Sequence, residues 1–468
     1  MLRWLYALAL LSLLALPALG AAASGADGLG VVAAASEQDA AANWPQWRGP
    51  LATGAAPDAD PPVTWSEGEN LRFKVALAGL GHSTPVIWGQ RVVLTAAVSD
   101  PATVVARRSG MPGAHDNLPV THWYRFTVLA LDRADGHRLW QQTVRRALPH
   151  EGGHSSGSLA SASPITDGER VYAFFGSYGL YALDLVDGKV LWQRDLGVMH
   201  TKHGHGEGAS PALYRNTLVV NWDHEGQSFL IALDARSGKQ RWKTLRNEPT
   251  SWATPIITVI AGNPQVIVSG TDRVRGYSLE TGAQIWQCAG LSANVVASPV
   301  AGDGMVFAAS SYDTRALLAI RLEGARGDIT GSDRVAWTRT QRTPYVPSPL
   351  LEQGALYFLR HYQPILSRVI AKTGEEPTGP FRLQGLRNIY ASPIAAGGRI
   401  YITDREGTTL VLSAGPTPKV LATNHLDDHF SASAAVAGNE IILRGEKSLY
   451  CLASDDGPQH ASPAGPTP

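Results

Sequence analysis

The chain has 468 residues, with 40 Lys plus Arg against 40 Asp plus Glu and a formal net charge of zero, so it carries no general electrostatic footprint for nucleic acid or an anionic membrane. With 44% hydrophobic residues, 17% charged residues, 48 Gly and 30 Pro, the composition excludes disorder of the whole and describes a turn-rich, well-buried all-β chain.

Residues 1–20 predict a secretory signal: Arg3, an apolar run over 5–16, Pro17, then Ala18-Leu19-Gly20 before Ala21. The run is too short to span a membrane, and no Cys adjoins the cleavage position for a lipid anchor. The expected product is exported, periplasmic or extracellular in a bacterium, soluble and monomeric. Residues 21–62 are read as a linker, Ala/Gly-rich over 21–42, followed by an N-terminal segment that begins Asn43-Trp44-Pro45-Gln46-Trp47-Arg48-Gly49-Pro50. The tail, 454–468, is expected to be disordered.

Between 63 and 453 one unit recurs. It opens on Ser-Pro or a variant, continues through two short apolar strands and a third of the form Leu-Tyr-Ala-Leu-Asp, then turns through Asp-Gly-Lys into a fourth strand ending on Trp. The clearest copy spans 162–196. Pro85, Pro164, Pro211, Pro255, Pro299, Pro349 and Pro393 open successive units, Ser431-Ala432-Ser433-Ala434 is a degenerate eighth opening, and Trp140, Trp192, Trp242, Trp286 and Trp337 close five of them. The last unit lacks a fourth strand, whereas Asn70-Leu71-Arg72-Phe73-Lys74-Val75 fits that pattern with Phe73 in place of Trp. The expectation is an all-β, eight-bladed β-propeller of four-stranded blades, its ring closed by an N-terminal strand. Cys288 and Cys451 then fall in distant blades and stay unpaired. One Trp per blade is read as inter-blade packing, not as a cofactor floor.

These repeats resemble the PQQ-like β-propeller family over nearly all of 63–452. The resemblance implies one of several uses: pyrroloquinoline quinone enzymes with calcium on the channel axis, or the cofactor-free propeller lipoprotein of outer-membrane assembly. The quinone is disfavoured because the enzymes carry two adjacent cysteines and this chain has none. The lipoprotein's lipidated Cys is absent as well.

In such a ring, the loops between blades and those joining second to third strands emerge on one face, where rigid scaffolds commonly carry function. All but His137 and His460 of the 14 His sort to that face. His150, His154, His200, His203, His205, Glu207 and His224 are the candidate ligands for a divalent transition metal. Arg273, Arg360, His361, Arg405 and Trp252 are candidates for holding a small ligand. Residues 99–125, between the second and third strands of the first unit, read as a long loop capping the mouth. No nucleotide loop or nucleophile elbow is found and no catalytic residue is assigned. The sequence therefore favours a non-enzymatic binding or scaffolding module that contacts a protein, glycan or small ligand. The alternatives are a metal- or quinone-dependent oxidoreductase and an outer-membrane protein assembly factor.

Overall fold

The computed structural model describes residues 37–454. The signal at 1–20, the linker as far as 36, the tail beyond 454 and His460 lie outside the described residues. The end of the expected linker forms a short helix, Glu37–Ala41.

The strands fall into eight sheets. The first comprises Val86–Trp88, Arg91–Arg107, Val120–Asp132 and Arg138–Ala147, and the second Ile165–Thr166, Arg170–Phe174, Leu180–Asp184 and Val190–Arg194. Five further sheets follow, starting at Ala212, Ile256, Val300, Leu350 and Ile394. The eighth takes Ala435–Ala437, Glu440–Arg444 and Ser448–Ala453 from the C-terminal end and Leu71–Ala76 from the N-terminal end. Phe73 stands opposite Cys451 in that antiparallel pair.

The recurrent Ser-Pro has a physical role. The backbone N–H of each residue preceding the proline donates to the hydroxyl of its counterpart in the next sheet: Thr84 to Ser163, Ser163 to Ser210, Ser210 to Thr254, Thr254 to Ser298, all at 2.8–2.9 Å. Ser298, Ser348 and Ser392 continue the belt to Ser433 at 2.9 Å. Proline holds the preceding residue extended, so N–H and hydroxyl point to opposite neighbours. Between the eighth and first sheets the joint differs: the buried Arg444 guanidinium donates to the Ser83 carbonyl at 3.1 Å and to its hydroxyl.

The tryptophans join the sheets farther out. Trp140, Trp192, Trp242 and Trp337 each donate an indole N–H to a carbonyl of the following sheet, those of Leu185, Ala235, Leu279 and Ala371, at 2.8–3.1 Å. Each ring lies on the turn glycine there; at Gly188, with φ +74°, a Cβ would stand 2.5 Å from Trp140, so only glycine fits. Phe73 occupies the same place against Gly136. Trp286 departs from the pattern, turning inward to donate to the Gln265 side chain at 3.0 Å, while Gly327–Asp328 adds a parallel fifth strand beside it. The core accordingly lies between sheets; one cluster joins Val128 of the first sheet to Leu183 of the second. Cys288 and Cys451 are buried and unpaired, in the fourth and eighth sheets.

Residues 44–60 cross the inner rim. Trp44 pairs with Ile87 of the first sheet, Pro45 accepts from Thr166 of the second, Thr53 from Leu351 of the sixth and Gly54 from Ala395 of the seventh. Ala55–Ala56 pairs parallel with Ile394–Ala396, and Asp60 donates to Gly438 of the eighth sheet. Arg48, buried and with no carboxylate partner among the described residues, donates to the carbonyls of Pro349 (2.9 Å), Pro393 (3.0 Å) and Thr53 (3.2 Å). Burial pulls its pKa down to about 9.

Two expectations are corrected here. Residues 99–125 are mostly not a loop: Arg91–Arg107 and Val120–Asp132 extend into a long hairpin whose turn occupies 108–119. Two histidines assigned to loops, His122 and His425, lie in strands. No helix among the described residues is long and apolar enough to cross a membrane.

Candidate functional site

Trp47, beside Arg48, forms the floor of a cavity of about 640 Å³, a volume in the range of small-molecule sites. Its wall follows a register rule. The residue two positions before each belt residue lines it in every sheet: His82, Ser161, Gly208 and Trp252 on one side of the ring, Val296, Val346, Tyr390 and Ser431 on the other. An extended chain repeats its facing every second residue, so the belt serines and these positions share the channel face. Above them the two sides diverge in chemistry.

On the side of the first three sheets stand His150, His154, His205, Glu151, Glu207 and, from the hairpin turn, Asp116. Asn117 in that turn donates to the carbonyls of His203 (2.8 Å) and Gly204 (2.7 Å), and its side-chain oxygen faces His205 Nδ1 at 2.9 Å. The two carbonyls identify Asn117 Nδ2 as the donor, so His205 Nδ1 carries the proton and Nε2 keeps its lone pair. His203, with φ +59°, likewise directs Nδ1 at the Pro112 carbonyl, 2.5 Å away. Burial, with His154, His203 and His115 beside it, pulls the His205 pKa down to about 4.

Glu207 accepts from the Ser177 hydroxyl at 2.5 Å and the Ser177 N–H at 2.7 Å, pinning the short turn Gly176–Tyr178. Burial, opposed by these bonds, pushes its carboxyl up to about 7. His150 is held by the Met199 carbonyl (2.7 Å) and the Tyr178 hydroxyl (2.9 Å), 3.8 Å from Glu207.

On the side of sheets five to seven runs a file of rings. Tyr312 stacks on Tyr345 (centroids 5.8 Å), Tyr345 meets His361 (4.8 Å), His361 stacks on Tyr362 (5.2 Å), and Tyr362 meets Tyr390 (5.8 Å). Arg405 covers Tyr390 at 4.9 Å. Asn294 donates to the Tyr345 hydroxyl at 3.1 Å, and burial together with the neighbouring tyrosines pushes that phenol up to about 12.

Of the residues singled out from sequence, His150, His154, His203, His205, Glu207 and Trp252 line this cavity. Pairs of imidazoles meet, His154 with His205 at 5.0 Å and His203 with His205 at 5.3 Å between centroids. His200 lies outside the lining, 66% exposed and 5.9 Å from His150, and His224 is turned to the Gln227 carbonyl at 3.3 Å. Among the described residues, the group with ligand atoms mutually within 4.8 Å is instead Asp132, at a strand end, with the exposed Asp135 and His137 that follow it. Arg273, Arg360, His361 and Arg405 do not line the cavity; Arg273 is paired with Asp328 at 2.9 Å. Sequence reasoning passed over Trp47, Asn294 and the tyrosines, although counting back two residues from Ser392-Pro393 finds Tyr390 as the same count from Thr254-Pro255 finds the candidate Trp252.

Comparison with known proteins places this geometry in a family. A family profile described as "Outer membrane protein assembly factor BamB" matches residues 63–204 and 125–378. The assembly factor BamB of Yersinia pestis is 23% identical over 330 residues, covering 68% of this chain and 77% of that protein. A lanthanide-dependent methanol dehydrogenase of Methylorubrum extorquens is 28% identical over 138 residues, 27% of this chain and 22% of that protein. The solved quinohemoprotein alcohol dehydrogenase of Comamonas testosteroni superposes with a TM-score of 0.58 at 9% identity, over 90% of this chain and 82% of that one, which shows a shared fold. With repeat, sheets and profile in agreement, the chain belongs to the PQQ-like β-propeller family.

Proposed function

We propose that this protein is an exported binding module whose eight sheets form the blades of one ring, closed by Leu71–Ala76, and whose ligand enters the one-ended cup between the histidine wall and the tyrosine file. The observation that carries the reading is the floor. Residues 44–60 engage the inner rim through Trp47 and Arg48, turning a channel into a concave site reached from the loop face. The family contains both an assembly factor and dehydrogenases, so fold alone does not choose between them.

The chemistry of the lining disfavours the quinone. Pyrroloquinoline quinone is a tricarboxylic acid, and no Arg or Lys is among the residues lining the cup, which offers Asp116, Glu151 and Glu207 instead. Neither Cys288 nor Cys451 is among the residues lining the cup. A second reading, transition-metal binding, draws support from the free Nε2 lone pairs of His203 and His205, each ring being fixed by an Nδ1 hydrogen bond of the kind that orients metal ligands. Metal analysis of His203→Ala/His205→Ala against wild type tests it; equal metal content in the two would end it.

Native mass spectrometry of mature protein recovered from an exporting host tests the main reading, using Gly208→Phe to fill the cup. Gly208 has an ordinary φ and only Trp252 nearby, so the fold should tolerate the ring. The expected result is a stoichiometric non-covalent adduct on wild type and none on the variant. An adduct retained by the variant, or a bare mass for both, would contradict the proposal.

A further inference from the structure

Charge, aromatic content and an unanswered acceptor together define what the cup selects. Its lining, among the described residues, includes the carboxyl groups of Asp116, Glu151 and Glu207 and no Arg or Lys. An anion entering the cup would lose hydration without meeting a guanidinium or ammonium counter-charge from the lining, a penalty in a partly enclosed site.

The opposite wall suits a cation. Tyr312, Tyr345, Tyr362 and Tyr390 line it, and aromatic faces attract ammonium and guanidinium groups. Arg405, 4.9 Å from the Tyr390 ring, already makes that contact from outside the cup. Tyr312, 59% exposed, is the most accessible ring of the file.

The independent observation is Asn294. It is 8% exposed and lines the cup, its Nδ2 is used on Tyr345, and its Oδ1 has no hydrogen-bond partner among the described residues. A buried carbonyl oxygen left without a donor loses its hydration with nothing in return. Its position beside the tyrosine file calls for a ligand that brings N–H or O–H donors, and the carboxylates across the cup favour the charged donor.

We propose that the cup binds a small organic cation of the alkylammonium class, its N–H groups donating to Asn294 Oδ1 and to the carboxylates while its carbon chain lies along the tyrosine file. This rests on the cup being the binding site and names the class of ligand it takes.

Isothermal titration of EDTA-dialysed mature protein with spermidine, maltotriose and citrate as parallel probes tests it. The double variant Asp116→Asn/Tyr312→Ala is the control, because both side chains are more than half exposed and their loss should leave the fold intact. Spermidine should bind wild type, more weakly as NaCl rises from about 0.05 to about 0.5 M because salt screens the carboxylates. Binding should weaken by about tenfold or more in the double variant at unchanged Tm. Equal spermidine affinity in wild type and the double variant would overturn the inference. So would binding of maltotriose or citrate, but not spermidine, lost in Gly208→Phe, an outcome that keeps the cup and removes the cation. Silence of all three probes together with a bare native mass would remove both.

Discussion

At the residue scale, small polar groups decide the ring. Thr254 N–H is buried and its acceptor is the Ser298 hydroxyl at 2.8 Å. Ser298→Ala removes the acceptor and leaves the donor stranded, and the expected loss is about 1–3 kcal/mol in urea unfolding, against near-neutrality for an exposed Ser→Ala. Glu207 makes a pH prediction whose sign follows from its environment. Its folded carboxyl titrates near 7 and an unperturbed one near 4.5, so the folded state holds the proton more tightly. The associated stability is complete below about pH 4.5 and is lost as pH rises through 7, amounting to about 3 kcal/mol for a shift of this size. Denaturation of wild type and Glu207→Gln across pH 4 to 8 measures it: the decline should be present in wild type and absent from the variant, and parallel curves would show that Glu207 is already ionised at low pH.

At the element scale, the segment over 44–60 and the hairpin of the first sheet are the parts that turn a propeller into a cup. Neither was readable in full from the chain. Asn43 to Pro50 stood out as a motif, but its docking depends on carbonyls contributed by Pro349 and Pro393, hundreds of residues away, which no local pattern encodes. The hairpin was read as a loop because polar and Gly/Pro residues dominate its turn, while strand extension is set by pairing such as Ser99 with Tyr124. By contrast, the strand at Leu71–Ala76 was legible because Phe73 repeats the role of the blade tryptophans, down to the contact with a turn glycine. Arg48→Ala should leave three buried carbonyls without their charged donor, and hydrogen bonds to charged groups contribute about 1.5–3 kcal/mol each before relaxation. A fall in Tm of several degrees, with faster hydrogen exchange at Thr166, Leu351 and Ala395, is expected; unchanged exchange there would show that the floor does not depend on Arg48.

At the scale of the whole molecule, a regular belt of hydrogen bonds carries unlike walls, imidazole and carboxylate facing tyrosine. The repeat made the fold legible, since the same Ser-Pro and Trp recur wherever sheets meet. It also hid the site: besides the recurring belt residues, the lining is made of positions that differ between units, and only the channel-facing register brings Trp252 to the same ring as His82 and Tyr390. Loop position selects a face, whereas side-chain direction within the loop separates His205, which lines the cavity, from His200, which does not. The proposed closure of the ring by Leu71–Ala76 makes a further prediction. Removing residues up to 76 deletes the outer strand of the eighth sheet and bares Ser448–Ala453 as an edge, so the truncated chain should aggregate or domain-swap by light scattering; a stable monomer would show that the ring holds without that strand.

The central claim is that the ligand occupies a cup with a fixed floor. A crystal structure of the mature protein purified with its ligand from an exporting host tests it most directly. The account predicts ligand density bounded by Trp47, Trp252 and Tyr390, with Asn294 Oδ1 accepting a hydrogen bond from it. Ligand bound on an outer sheet edge, or Trp47 withdrawn to leave an open channel, would contradict it.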